Sequence, residues 1–267
     1  MKKNTIYQEN CIEGMKRISS KSVDLIIADP PYNLSKGNTI NFLGNSVVKG
    51  MGGEWNKAFE NWDNYSLIEY FEFTKQWLTE AKRIMKNSGS MWIFGTYHNI
   101  GIINFLCQML DLEIINEIIW YKSNSFPNLA GRRLTASHET ILWVHNNPKK
   151  RLYKFNYEYS KNGDFDYDNL KSPTKQMRTV WSIPNNKKKW ELSLGKHPTQ
   201  KPIRIMDRII NLTTDEEDLV LAPFSGAGTE CLSAKRNNRK YIGFEIENEY
   251  YELSIKRLEM QVDTEND

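Results

Sequence analysis

Short runs of consecutive apolar residues alternate along this chain with longer stretches in which apolar residues return every three or four positions. Val23–Ala28 has the first pattern and predicts a strand buried on both faces, the kind found inside parallel sheets. Thr5–Tyr7, Met91–Phe94, Glu113–Tyr121, Thr140–Val144, Leu219–Leu221 and Tyr241–Phe244 bring the predicted strands to seven. Leu67–Met85 has the second pattern, with Ile68, Phe71, Phe73, Trp77, Ala81 and Ile84 at helical spacing and the glycine of KNSGS as its expected stop. Ile100–Leu110, Ile203–Leu212, a segment ending at Ala234 and Tyr250–Val262 also read as helices. Strands separated by helix-length patterns predict a doubly wound α/β sheet with mainly parallel strands in a single domain, 1–267.

Two segments break the rhythm. Residues 33–63 are long, polar and glycine-rich, and a loop of that length is either functional or disordered. Residues 122–195 are irregular, aromatic and basic, with Arg132–Arg133, Lys149–Lys150–Arg151 and Lys187–Lys188–Lys189. Each basic run alone reads as a solvated turn. Three of them interleaved with Phe155, Tyr157, Tyr159, Trp181 and Trp190 point to a nucleic-acid face.

Composition narrows the setting. A net charge of +3 permits a polyanionic partner without requiring one. Cys11, Cys107 and Cys231 are odd in number and far apart, as expected of reduced core thiols in a cytoplasmic protein. The N-terminus has no apolar leader, and no segment approaches a membrane span in length, so no membrane partner is expected. His98, His138, His145 and His197 are scattered without metal-ligand spacing, and no metal is expected. Trp92, Trp120 and Trp143 fall at core positions, whereas Trp55 and Trp62 lie in the polar segment.

The candidate chemistry begins where the second strand stops, at Asp29-Pro30-Pro31-Tyr32. In open α/β sheets, ligands bind beyond the carboxyl ends of the strands. There a carboxylate and the rigidly placed Pro30 carbonyl present two acceptors to one amino group, and Tyr32 offers a plane for a heterocycle to stack on. Two acceptors pulling on the hydrogens of an adenine N6 favour a tetrahedral nitrogen whose lone pair can attack an electrophilic methyl. The simpler alternative is a strand-ending turn.

The second motif is LVLAPFSGAGTE, Leu219–Glu230, a strand running into Gly226-x-Gly228 and then a helix. Glycines there let a ligand approach the backbone, and the helix N-terminus offers N–H groups. Glu245 ends the next strand nineteen residues after Gly226, the spacing of an acid that binds ribose hydroxyls. That spacing suits S-adenosylmethionine, NAD or FAD alike. Cys231 occupies the place of a third glycine, which disfavours a pyrophosphate. Thr199 and Lys201, in GKHPTQKP, are candidate ligands for a carboxylate, with a proline-stiffened loop as the alternative.

Taken together, ADPPYNL, an aromatic and basic middle, KHPTQKP and PFSGAGT resemble, over nearly the whole chain, DNA amino-methyltransferases in which the catalytic motif precedes the cofactor motif. GEWNKAFENWD, WYKSNSFPNLAGRR and SHETILWV are similar to adenine methylases that accompany restriction systems recognising GATC. The resemblance implies a Rossmann-like methyltransferase sheet, S-adenosylmethionine as cofactor and N6 of a flipped adenine in double-stranded DNA as acceptor. Single strands are left open. It assigns Asp29, Pro30, Pro31 and Tyr32 to catalysis, and Phe224, Ser225, Gly226, Gly228, Thr229, Glu245, Thr199, Lys201 and Asp29 to the cofactor. It places target recognition in 122–195, with Arg132, Arg133, Lys187, Lys188 and Lys189 on DNA, and a mobile substrate loop at 33–63. A cognate restriction endonuclease is implied as a functional partner, and a homodimer is compatible. Cytosine N4 transfer and a non-catalytic DNA-binding relative are the competing readings. One departure stands out: the family carries Asp-Pro-Phe on the cofactor strand, and this chain has Ala222 in place of that Asp. Weaker cofactor binding is the expected consequence.

Overall fold

The structure, a computed structural model, describes residues 1–33, 65–125, 132–146, 151–162, 168, 172, 174–185 and 188–260. The proposed substrate loop, with Trp55 and Trp62, lies outside these residues apart from Asn33, as do Lys149, Lys150 and Lys187. Strands β1 (Thr5–Gln8), β2 (Val23–Ala28), β3 (Met85–Gly95), β4 (Glu113–Tyr121), β5 (His138–His145), β6 (Val180–Ser182), β7 (Leu219–Ala222) and β8 (Lys240–Glu245) form one sheet, in the order β1-β8-β7-β2-β3-β5-β4-β6. The pairs β1/β8, β8/β7, β7/β2, β2/β3 and β4/β6 are parallel, and β5 runs against both β3 and β4.

The sheet thus has eight described strands where the pattern predicts seven. The extra one, β6, is three residues long, too short for alternation to show. Strand direction is likewise invisible to periodicity, so the antiparallel insertion of β5 is a tertiary result. Helices α1 (Cys11–Lys16), α2 (Leu67–Ile84), α3 (Ile100–Met109), α4 (Tyr157–Asn162), α5 (Ile203–Thr213), α6 (Thr229–Arg236) and α7 (Asn248–Glu259) complete the described elements. Helix α2 starts at a capping box, with Ser66 receiving Glu69 N–H and Glu69 receiving Ser66 N–H. It does not stop at the glycine of KNSGS. The chain turns extended at Met85 and runs straight into β3. Gly89 is there for close approach: a Cβ would lie 2.9 Å from the Asp24 carbonyl oxygen.

Alternate residues of the central strands feed two cores. Leu25, Ile27, Trp92, Phe94, Ile141 and Trp143 face α5 and α6, while Ile26, Ala28, Met91, Ile93, Leu142 and Val144 face α2 and α3. Trp92, Trp120 and Trp143 are core residues, as the pattern predicts. The aromatic residues of 122–195 depart from expectation. Trp181 is buried and stacks 5.6 Å from Trp92, and Phe155, Tyr159 and Trp190 pack against the same core, leaving Tyr157 exposed. Burying a ring of this size against the sheet is worth more than displaying it to water, which takes Trp181 out of any nucleic-acid face and leaves Phe155, Tyr159 and Trp190 half-buried. The three cysteines are free and buried.

Candidate active site

From the β7/β2 boundary the chain winds in opposite directions, β2 onward to β3 and β7 onward to β8. A crevice opens at such a switch point beyond the strand ends. Here it is a cavity lined by Asp29, Pro30, Pro31 and Tyr32 from the end of β2, by Phe224, Ser225, Gly226, Thr229 and Glu230 after β7, and by Glu245 from β8. His197, Thr199, Gln200 and Lys201 close another side. The two motifs, nearly two hundred residues apart in sequence, therefore share one cavity.

At the β2 end, the Lys201 ammonium donates to Asp29 Oδ2 at 2.5 Å and lies 3.7 Å from Glu139 Oε2. Lys201 is only 3% exposed. It is thus paired with two carboxylates of this chain while lining the cavity. The Tyr32 hydroxyl lies 2.6 Å from Asp29 Oδ1 and 3.0 Å from Glu139 Oε2, and Lys122 pairs with Glu139 Oε1. Burial lifts the Asp29 carboxyl above its ordinary range, against the pull of Lys201, and Glu139 adds to the rise. Glu139 moves the other way: burial would raise it, but Lys201 and Lys122 together hold it below its ordinary value. Lys201 is raised because its two carboxylates outweigh its desolvation. Tyr32 is 7% exposed, and the Lys201 ammonium sits 5.1 Å from its ring centre. Its hydroxyl therefore belongs to this network, in addition to any stacking its ring offers. Tyr70 donates to the Pro31 carbonyl at 2.9 Å and is itself held by Asn99, which fixes the turn. Among the described residues no donor takes the Pro30 carbonyl.

At the β7 end, Gly226 has φ 47° and donates its N–H to Glu245 Oε2 at 2.7 Å, while Glu245 Oε1 receives the Glu247 N–H. Burial raises the Glu245 carboxyl against the pull of these N–H groups. Gly228 does not line the cavity. Its φ of 72° starts α6, and a Cβ would lie 2.9 Å from Ser254 Cβ. That glycine serves the turn and the approach of α7. Ser225 donates to the Phe244 carbonyl, Phe224 packs edge-on against Trp77, and Thr229 Oγ1 accepts from buried Arg257. Thr199 is exposed, with its N–H and hydroxyl beside His197 Nδ1. Burial and the Lys201 cation push His197 down to about 4, so its imidazole is neutral.

Two further acids line or adjoin the site without a local sequence signal, Glu139 and Glu230. Glu139 reaches the site from antiparallel β5, which no local pattern could place, and a Glu on the first turn of a helix ordinarily reads as dipole complement. The proposed DNA residues lie elsewhere: Arg132 and Arg133 are exposed, with Arg133 donating to the Tyr97 hydroxyl, Lys189 is exposed and Lys188 half-buried beside the short 3-10 helix Lys189–Leu192.

Known proteins match this chain along most of its length. A family model described as DNA methylase matches residues 23–256. The chain is 38% identical to the Type II methyltransferase M2.DpnII of Streptococcus pneumoniae over 98% of its own length and 92% of the relative's. It is 39% identical to the Type II methyltransferase M2.MboI of Moraxella bovis, covering 94% and 86% of the two chains. Among solved structures, the M1.HpyAVI–SAM complex superposes with a TM-score of 0.61 at 25% identity, covering 96% of this chain and 99% of that one. The cytosine-N4-specific PvuII DNA methyltransferase shares the fold with a TM-score of 0.70 at 18% identity, over 98% and 87% of the chains.

Proposed function

This chain belongs to the DNA methylase family, and from that premise we propose its target atom and the work of its residues. It is a site-specific DNA methyltransferase using S-adenosylmethionine. The acceptor is N6 of an adenine flipped out of a short DNA sequence. The observation that carries this reading is Asp29 at the mouth of β2, beside the Pro30 carbonyl, which takes no donor among the described residues, in the same cavity as the Gly226–Glu245 pair.

The cavity suits the donor. Glu245, held by backbone N–H groups, offers a carboxylate to ribose hydroxyls, and Phe224 with Phe73 supplies apolar wall for a purine. The bound donor supplies an electrophilic methyl on a sulfonium. The residues of this chain prepare the acceptor. Asp29 and the Pro30 carbonyl take the two N6 hydrogens and draw them out of the ring plane, which frees the nitrogen lone pair. Each carboxylate oxygen accepts more than one hydrogen bond, so Asp29 can do this without releasing Lys201 or Tyr32. Those two groups fix the direction in which Asp29 points. Arg132, Arg133 and Lys187–Lys189 contact the DNA, residues 122–195 select the sequence, and 33–63 closes over the substrate. Flipping costs a few kcal/mol, which such contacts must offset.

GATC is the proposed recognition sequence, carried by GEWNKAFENWD, WYKSNSFPNLAGRR and SHETILWV. The reading places the enzyme in the cytoplasm, protecting DNA from a cognate endonuclease. Cytosine N4 is the acceptor named for a fold neighbour at 18% identity, and a carboxylate at position 29 argues for adenine. The test is to incubate the protein with unmethylated genomic DNA and labelled S-adenosylmethionine, then map the modified base by modification-sensitive sequencing. N6-methyladenine at GATC is expected. Label on cytosine overturns the acceptor, label on adenine elsewhere overturns the sequence, and no label on DNA overturns the enzyme reading.

A further inference from the structure

Glu230, the second residue of α6, lines the donor cavity yet is 4% exposed. Its Oε2 is sealed from solvent and accepts no hydrogen bond from any described residue. A buried carboxylate oxygen without a donor is costly, and such an orphan in a native fold asks for a missing partner. The resemblance to the methyltransferases implies an acid on the neighbouring strand, where this chain has Ala222 in the core layer that includes Cys231 and Leu232 of α6. The acid implied for the strand and the acid with an orphaned oxygen on the helix covering that face of the strand are complementary.

We propose that Glu230 is the donor-binding carboxylate that replaces the missing strand acid, pairing with a cationic group of S-adenosylmethionine and giving up a proton as the donor binds. This rests on the proposed use of the cavity for that donor. In the free protein, burial and the neighbouring Asp29 raise Glu230 to about 8, while a hydrogen bond from its own backbone N–H, Lys201 and Arg257 pull it down. These groups face it from the end of β2, from the segment before α5 and from α7, and the Cys231 thiol adjoins it on α6 itself. At neutral pH Glu230 is therefore mostly protonated, which is how the fold tolerates it empty. A cation beside it favours the carboxylate, so binding expels the proton to solvent and leaves an ion pair. No bond other than O–H breaks.

The test is calorimetric titration of the full chain with S-adenosylmethionine between pH 6.0 and 7.0, in buffers of different ionisation enthalpy. Native protein should release about one proton per donor bound, and its affinity should rise about tenfold per pH unit. Glu230→Gln, neutral and of the same shape, should release far less than native protein, lose the pH dependence and bind about tenfold more weakly at pH 7.0. Adding Ala222→Asp to Glu230→Gln should restore affinity. S-adenosylhomocysteine, which keeps the ammonium but lacks the sulfonium charge, separates the two cations: an equal loss for both ligands in Glu230→Gln assigns the ammonium, and a loss confined to S-adenosylmethionine assigns the sulfonium. Absence of proton release by the native protein overturns the inference even if the variant misfolds. Unchanged affinity and release in a folded Glu230→Gln overturn it as well. A native protein that binds donor and methylates DNA in either case leaves the functional reading intact, whereas no donor binding at all defeats that reading first.

Discussion

The two ends of the cavity treat their acids in opposite ways. At the β2 end, Asp29 has Lys201 on one oxygen and Tyr32 on the other, and Glu139 behind them has Lys122 as well. At the β7 end, among the described residues, Glu230 has an oxygen with no partner and Glu245 is held by backbone N–H groups. The first arrangement is pre-organised, with charge paired before any substrate arrives, so the acceptor amine meets a carboxylate already aimed. The second is left incomplete and becomes whole when a cation enters. An enzyme that must grip a weak neutral nucleophile and a strongly charged electrophile has reason to do both.

Breaking the paired end should have the largest effect. Asp29→Ala removes one of the two acceptors and should lower methyl transfer by about a thousandfold or more while leaving most duplex affinity, read by labelled-methyl transfer and by DNA binding. Substantial surviving turnover would contradict the role given to Asp29. Lys201→Met comes next. It leaves two buried carboxylates sharing no cation, and breaking a buried pair this way costs about 3–5 kcal/mol of stability. A lower Tm and a roughly hundredfold or greater fall in kcat, with DNA affinity near native, are expected if orienting Asp29 matters as oxyanion-type preorganisation does. A native kcat would show that Asp29 needs no positioning by Lys201.

The incomplete end should reveal itself in stability against pH. Glu230 is raised from 4.5 to about 8 in the folded chain. Its contribution to stability is thus fully present below pH 4.5 and is lost as pH rises through 8. Glu230→Gln removes that loss, so its Tm relative to native should be higher at pH 8.5 than at pH 5. Equal differences at the two pH values would argue against an unpaired acid. The smallest expected effect lies outside the comparison, on the exposed arginines. Arg132→Ala with Arg133→Ala should leave Tm and donor affinity unchanged and weaken duplex binding by about tenfold, with a shallower salt dependence. Unaltered DNA affinity would move the interface elsewhere.

The chain announces its strands and the two motifs at their ends because both are local signals: apolar runs that stop at Asp29 and at the glycine turn, and an acid nineteen residues further on. Even the departure at Ala222 is visible in one dimension. What partners those residues is not. Lys201 reads as a candidate ligand for a carboxylate and proves to be buried between Asp29 and Glu139, because the segment before α5 folds over the end of β2. Glu139 enters from β5, whose antiparallel place between β3 and β4 no periodicity encodes. Trp181 looks like part of a surface for bases and becomes core, since the free energy of burying a ring depends on what lies opposite it. Sequence determines which groups are present and where each element ends, as those depend on neighbours along the chain. Tertiary structure decides which charges are paired and which are left waiting, as that depends on neighbours in space.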